Sequence, residues 1–254
     1  MVRGREAVGD MAGMAVGTWS PSTLPRHLAV SIDGNGRWAE ARGLPRSAGH
    51  RAGAEACVRL VEACLRLGIP ILSMYVFSTE NWRRPAAEVG EILRLVGETL
   101  RRLRDPFVAS GVRLRHLGRT AGLPDELVAR IRGVETVTAH NDRLQFNLAV
   151  NYGGRADIID AVRQLAGSGA DLSQVMEDDI TAHLSTAGRP DPDLFIRTSG
   201  EVRLSNFMLW QMVDAMCVFA EPCWPDFGET DLLAVLDRYA QRAERTGNRS
   251  RRAG

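Results

Sequence analysis

The sequence is poor in the features that settle a protein's class at a glance. Its 254 residues include only four cysteines, Cys57, Cys64, Cys217 and Cys223, and none stands in a CxxC spacing. That argues against a disulfide framework and against a zinc site, and for ordinary reduced thiols. Long apolar runs are missing too. The longest, around residues 69–77, is far too short to span a bilayer. Arg3 and Arg5 have no continuous apolar segment behind them, so the beginning does not read as a signal peptide. Charge of one sign is also absent: 32 Lys and Arg against 31 Asp and Glu leave a formal net charge of +1. A general nucleic-acid binder would carry a basic excess. These absences point to a cytoplasmic protein with no nucleic-acid partner, whose anion recognition must come from local arginine clusters.

What is present is an ordinary globular composition, 44% hydrophobic and 25% charged, in a chain long enough to bury a sizeable core. Residues 1–23 are rich in Gly, Ala and Met without a period and read as a disordered leader. Residues 24–245 read as one domain with no linker or repeat, and 246–254 as a basic flexible tail. Short apolar runs at 27–32, 71–77, 112–117, 144–150 and 194–196 predict strands. Between them lie helical patterns. One covers 52–67 and stops at Gly68; another is opened by Pro85, with Val89, Ile92, Leu93, Val96, Leu100 and Leu103 on one side. Strands alternating with helices predict an α/β fold whose parallel sheet is covered on both faces, with chemistry in the loops at the strands' carboxyl ends.

The polar constellations fall in those loops. Asp33-Gly34-Asn35-Gly36-Arg37-Trp38 follows a strand and precedes a helix. Its glycines let backbone approach an anion, and Arg37 offers a charged fork for phosphate oxygens. A carboxylate beside a phosphate is repelled unless a cation sits between them, so Asp33 points to Mg2+. On the glycines alone, a Gly-rich turn with a capping Asp is the better explanation of the segment. Arg46 and His50 could reach the same anion from the next loop. Phe77-Ser78-Thr79-Glu80-Asn81-Trp82-Arg83-Arg84-Pro85 leaves a strand with neutral hydrogen-bonding groups at Ser78 and Asn81, an aromatic wall at Trp82 and a further cation at Arg84. A capped helix start accounts for Ser78 and Pro85 in that segment. Arg197, Arg203 and Ser205 surround Gly200 in a second anion loop, for which a solvated surface loop is the competing reading. Two anion loops, one acid, a metal and apolar walls suit two diphosphates meeting head to tail. No DDxxD motif is present.

In order and spacing, residues 27–43, 49–68, 75–85, 147–155 and 191–227 resemble the signature regions of the cis-prenyltransferases, of undecaprenyl diphosphate synthase type. The resemblance implies a single domain with a six-stranded, mainly parallel sheet surrounded by helices, working as a homodimer on isoprenoid diphosphate substrates. It implies that Gly34, Asn35, Gly36, Arg37, Arg46, His50 and Arg84 hold the allylic diphosphate, and that Asp33 holds Mg2+. Ser78, Asn81 and Trp82 would orient the reacting ends. Arg197, Arg203 and Ser205 would bind the diphosphate of isopentenyl diphosphate. Val76, Val112 and Leu144 would line or close the tunnel for the growing chain, and a valine at 76 suggests a short or medium product. A lipid product would bring the protein into peripheral membrane contact.

Two positions depart from the family pattern. Met216 stands where a glutamate is usual, and Val202 where some members have histidine, both associated with metal near the acceptor. Neither thioether nor valine replaces a hard oxygen ligand. Asp214, two residues away, would point elsewhere on a helix. Three readings fit: an ordinary elongating synthase, a specialised relative with a different acceptor (a second allylic diphosphate or a small non-diphosphate molecule), or a non-catalytic diphosphate- or lipid-binding subunit. The intact arginines favour the first.

Overall fold

The computed structural model describes residues 23–252, with side chains described to residue 243. Apart from Thr23, the expected leader lies outside the described residues. The short apolar runs become strands: β1 (His27–Ser31), β2 (Ile71–Ser78), β3 (Val112–Leu117), β4 (Leu144–Tyr152), β5 (Leu194–Arg197) and β6 (Met216–Phe219). They form one six-stranded sheet in the order β3-β4-β2-β1-β5-β6. Every pairing is parallel. The helices are α1 (Asn35–Glu40), α2 (Arg46–Leu67), α3 (Ala86–Ser110), α4 (Asp125–Val137), α5 (Gly154–Gly167), α6 (Glu177–His183) and α7 (Glu229–Arg252). The α/β architecture matches the one expected.

The central strand shows why the pattern folds this way. All five residues of β1 are buried. Leu28 and Val30 join the larger apolar cluster, with Leu60 and Val61 of α2 and Val89 and Leu93 of α3. Ala29, pointing the other way, packs with Tyr75, Phe195 and Phe207. A strand covered on both faces has no reason to alternate, hence its continuous apolar run. The stop at Gly68 takes the expected form: its φ is 75° and its N–H closes onto the Cys64 carbonyl. Of the α2 thiols, Cys57 and Cys64 are both pushed up to about 12 by burial, so neither is a ready nucleophile.

One expectation changes at the carboxyl-terminal side. The stretch containing Asp214 and Met216, expected as helix, is a series of turns followed by β6, whose first residue is Met216. Ser205, Asn206 and Met208 all have positive φ (50°, 64° and 45°), and such backbone cannot enter a right-handed helix. Of residues 246–254, expected as a flexible tail, the last two lie outside the described residues and those up to Arg252 carry helical backbone as the end of α7. No proline interrupts it, and extending an existing helix is far easier than starting one.

Because β1 lies between β2 and β5, the chain leaves the middle of the sheet in opposite directions. A crevice opens outside the carboxyl ends at that point. Asp33 follows β1, Ser78 ends β2 and Arg197 ends β5, so residues far apart in sequence meet there.

Candidate active site

At the crevice lies a cavity of about 650 Å³. Its mouth is polar and its depth is apolar, walled by Val61 of α2, Val76 of β2, Ile92, Val96, Leu100 and Leu103 of α3, and Phe146 and Leu148 of β4. Phe146 in turn stands edge-on to Phe107, with ring centroids 5.9 Å apart, which backs the deep end.

The first anion loop sits at the mouth. Gly34 has φ 98°, and a Cβ there would fall 2.7 Å from Ser199 Cβ, so both conformation and space require glycine. Thr198 fixes the neighbouring Asp33: its hydroxyl accepts from Asp33 N at 2.9 Å and donates to Asp33 O at 2.8 Å. The Asp33 carboxylate accepts from Gly34 N at 2.8 Å and from Arg197 Nη2 at 2.7 Å.

Gly34, Asn35, Gly36, Arg37, Arg46, His50 and Arg84 all line the cavity. Arg37 donates to Ser199 Oγ at 2.6 Å and lies 3.3 Å from Glu201. Arg46, His50 and Arg84 share a residue that sequence reasoning missed, Glu88. Burial alone would raise the Glu88 carboxyl, but Arg46, Arg84 and His50 outweigh it and hold it below the usual range. The His50 ring is pushed down by burial, assisted by Arg84 and Arg46 and opposed by Glu88. An acid three residues past Pro85 looks like ordinary first-turn chemistry, which is why Glu88 gives no signal in the sequence.

The second anion loop is tightly wired. Arg197 is buried to 3% exposure. Its Nη1 donates to Ser205 Oγ and to the Arg203 carbonyl, each at 2.5 Å. Arg203 pairs with Glu201 at 2.7 Å, so Glu201 lies between the arginines of the two loops. Ser199, Ser205 and Asn206 are held at positive φ, a cost of order 1 kcal/mol each that surrounding contacts must offset. Asn206 supplies some of these: it donates to Glu80 at 2.7 Å and accepts from Arg155 N at 2.9 Å.

Two buried nitrogens at this mouth make no hydrogen bond within the chain, His50 Nε2 and Arg197 Nε. His50 Nε2 lies 3.3 Å from Glu88, close enough to feel its charge. Arg197, which lines the cavity, thus keeps an unpaired donor that suits an anionic ligand. The acids suit one hard cation. Among the described residues no group of three or more His, Cys, Asp or Glu could hold a metal by itself. Asp33, partly exposed at the mouth, could supply one carboxylate to magnesium, the rest coming from substrate phosphates and water.

The other expected positions are less uniform. Ser78 and Asn81 line the cavity, yet they also cap one another across the turn Thr79–Arg83. Trp82 is not among the lining residues; its indole N–H donates to Asn151 at 2.8 Å and its ring stands edge-on to Phe77. Val76 is on the wall, whereas Val112 and Leu144 are wholly buried, paired across β3 and β4 away from the lining. Val202 is 73% exposed. Met216 opens β6, at the opposite end of the strands from Asp33. The substitution there removes no carboxylate from this chain's own cavity.

Residues 31–247 match the model of a family described as "Putative undecaprenyl diphosphate synthase". An isoprenyl transferase of Brucella suis is 46% identical, over 90% of this chain and 92% of that protein. A ditrans,polycis-undecaprenyl-diphosphate synthase specific for (2E,6E)-farnesyl diphosphate, from Legionella pneumophila, is 42% identical over 88% of this chain and 96% of its own. Among solved structures, lavandulyl diphosphate synthase of Lavandula x intermedia, in complex with dimethylallyl diphosphate, superposes with a TM-score of 0.82. It is 34% identical and covers 86% of this chain and 96% of its own.

Proposed function

The chain belongs to the cis-prenyltransferase family of undecaprenyl diphosphate synthase, and on that premise we propose that it joins an allylic diphosphate to isopentenyl diphosphate. The product is a Z-configured polyprenyl diphosphate of short or medium length. The observation that carries this reading is the pair of cationic clusters at the mouth of one apolar cavity, with Asp33 between them.

The allylic diphosphate binds through Gly34, Asn35, Gly36, Arg37, Arg46, His50 and Arg84, with its hydrocarbon in the apolar depth. Isopentenyl diphosphate binds through Arg197, Arg203 and Ser205. The allylic C–O bond breaks as the acceptor's double bond attacks, forming the new C–C bond. The diphosphate leaves with the electron pair, and loss of a proton from the acceptor sets the new double bond. Asp33 would hold a magnesium ion, which when bound would supply positive charge to the departing diphosphate. Arg37, Arg46 and Arg84, fixed in advance around it, stabilise charge that grows only in the transition state. Holding two substrates in one crevice removes much of the entropic cost of their meeting.

Phe146 and Leu103 at the deep end support a limited product length. The solved relative holding dimethylallyl diphosphate favours one second reading, in which the acceptor is itself an allylic diphosphate. Purified protein is incubated with magnesium, labelled isopentenyl diphosphate and allylic starters of increasing length, and the products are sized. Elongated cis products support the first reading. Starter consumed without label incorporated supports the second.

We also infer a homodimer. Val213 and Val202 are 82% and 73% exposed and β6 is an edge strand, apolar and unpaired surface that another copy would cover. Sedimentation at micromolar protein tests it, with a monomer as the opposing result. No helix among the described residues is long and apolar enough to cross a membrane; if the product is a lipid, contact with the bilayer is peripheral.

A further inference from the structure

We propose that Glu88 is a positioning residue that assembles the cations of the donor diphosphate site. The inference rests on reading the cavity as a diphosphate site. Arg46 and His50 come from α2, and Arg84 from the turn before α3. Glu88, in the first turn of α3, meets all three. Its Oε1 lies 3.0 Å from Arg84 Nη1, 3.3 Å from His50 Nε2 and 3.5 Å from Arg46 Nη2. Its Oε2 lies 3.4 Å from Arg46 Nε.

The placement decides between two roles. The three partners line the cavity and Glu88 does not. The carboxylate therefore grips them from behind rather than sitting where the phosphates would go. Arg46 is also tied to Glu40 through Nη1 at 2.5 Å, but among the described contacts Glu40 reaches neither His50 nor Arg84. Without Glu88 the cluster loses the one anion common to all three cations. They would then repel and spread, and binding would have to order them again. Glu88 also ties the Ser78–Arg84 turn to α2, so the strand-end groups and the helix groups keep one geometry. Three charges face the His50 ring: Glu88 from α3, Arg84 from the turn and Arg46 from its own helix. Of these only Glu88 favours the protonated ring that a phosphate would prefer.

The test compares wild type with Glu88→Gln and Glu88→Asp. Inorganic pyrophosphate is titrated while the His50 imidazole is followed by NMR, so donor-site occupancy is read directly. Steady-state kinetics vary the allylic and isopentenyl diphosphates separately. Loss of one charge-assisted contact set should weaken pyrophosphate binding and raise the allylic KM roughly tenfold in the Gln variant. The isopentenyl diphosphate KM should hold, and the ligand-free His50 titration should move to lower pH. Asp should restore part of each change. Tighter pyrophosphate binding in Glu88→Gln would overturn the proposal and make the carboxylate a competing anion. Equal rises in both KM values with a lower urea midpoint would reduce Glu88 to a fold-stabilising residue. If wild type itself bound no pyrophosphate, the diphosphate-site reading would fall and this inference with it; an unchanged Gln variant beside a binding wild type would sink this inference alone.

Discussion

Arg197 Nη2 donates to Asp33 Oδ2 at 2.7 Å, so the acid assigned to the metal and the arginine assigned to the acceptor diphosphate hold each other. The pair joins the carboxyl ends of β1 and β5, and Thr198 bonds both backbone polar atoms of Asp33 from the same side. One carboxylate thus lies between the two anion loops, where it can answer to either.

Asp33→Ala should lower kcat/KM by roughly a hundredfold or more, as removal of a transition-state electrostatic partner does elsewhere. Pyrophosphate should still bind, because the arginines remain. A protein that only carries diphosphates would show no functional loss in the same variant, and calorimetry alongside turnover separates the two.

Gly36→Ala and Gly34→Ala should fail in different ways. A Cβ on Gly36 falls 2.6 Å from the Arg46 guanidinium, the far end of a flexible side chain that can swing aside. Its allylic KM should rise about fivefold, roughly 1 kcal/mol, with little change in urea midpoint. Gly34→Ala meets Ser199 Cβ and an unfavourable φ together, and should destabilise the fold by about 1–3 kcal/mol. Equal stability losses in the two variants would contradict this division.

Acid should destabilise the protein through His27. The Pro190 carbonyl can only accept, so Nδ1 of His27 carries the proton and donates to it at 2.8 Å. Nε2 then accepts from Ser73 at 2.7 Å, and Ser73 accepts from Asn147 at 2.8 Å. Burial pushes His27 down from 6.5 to about 4. Between those values the unfolded chain binds the proton and the folded one does not. Stability is therefore full above pH 6.5 and falls as pH drops towards 4, by roughly 3 kcal/mol in all. Urea midpoints across this range, with the imidazole tautomer followed by NMR, check both halves. A His27 ring that titrates near 6.5 in the folded protein would refute it.

Val76→Ala should lengthen the product distribution. Val76 is on the cavity wall between the diphosphate mouth and Phe146, so removing two methyl groups widens the path for hydrocarbon. The stability cost should be about 1–2 kcal/mol. Unchanged product lengths would show that Val76 does not limit the chain.

Much of the fold and part of the site are legible in the order of residues alone. The continuous apolar runs of buried strands, the stop at Gly68 and the stripe from Val89 to Leu103 are local patterns, and local patterns fix elements. The two arginine-bearing loops can be found because each follows a strand. Other features are not legible. Glu88 reads as a helix-start acid until Arg46 and His50 arrive from α2. Thr198 reads as a loop hydroxyl until β5 pairs with β1. Trp82 reads as a wall for substrate, yet Asn151, from the end of β4, gives its indole a partner elsewhere. Met216 reads as part of a helix because a run of only four strand residues is too short to show a period.

The sequence by itself determined the alternation of strand and helix, hence a covered parallel sheet, and which loops carry cations. Only the tertiary structure decided which carboxylate serves which cation and which valine faces the cavity. Periodicity and turn residues act over a few neighbours along the chain, whereas these pairings depend on strand order. The order β3-β4-β2-β1-β5-β6 brings Asp33 to Arg197 across 164 positions of sequence.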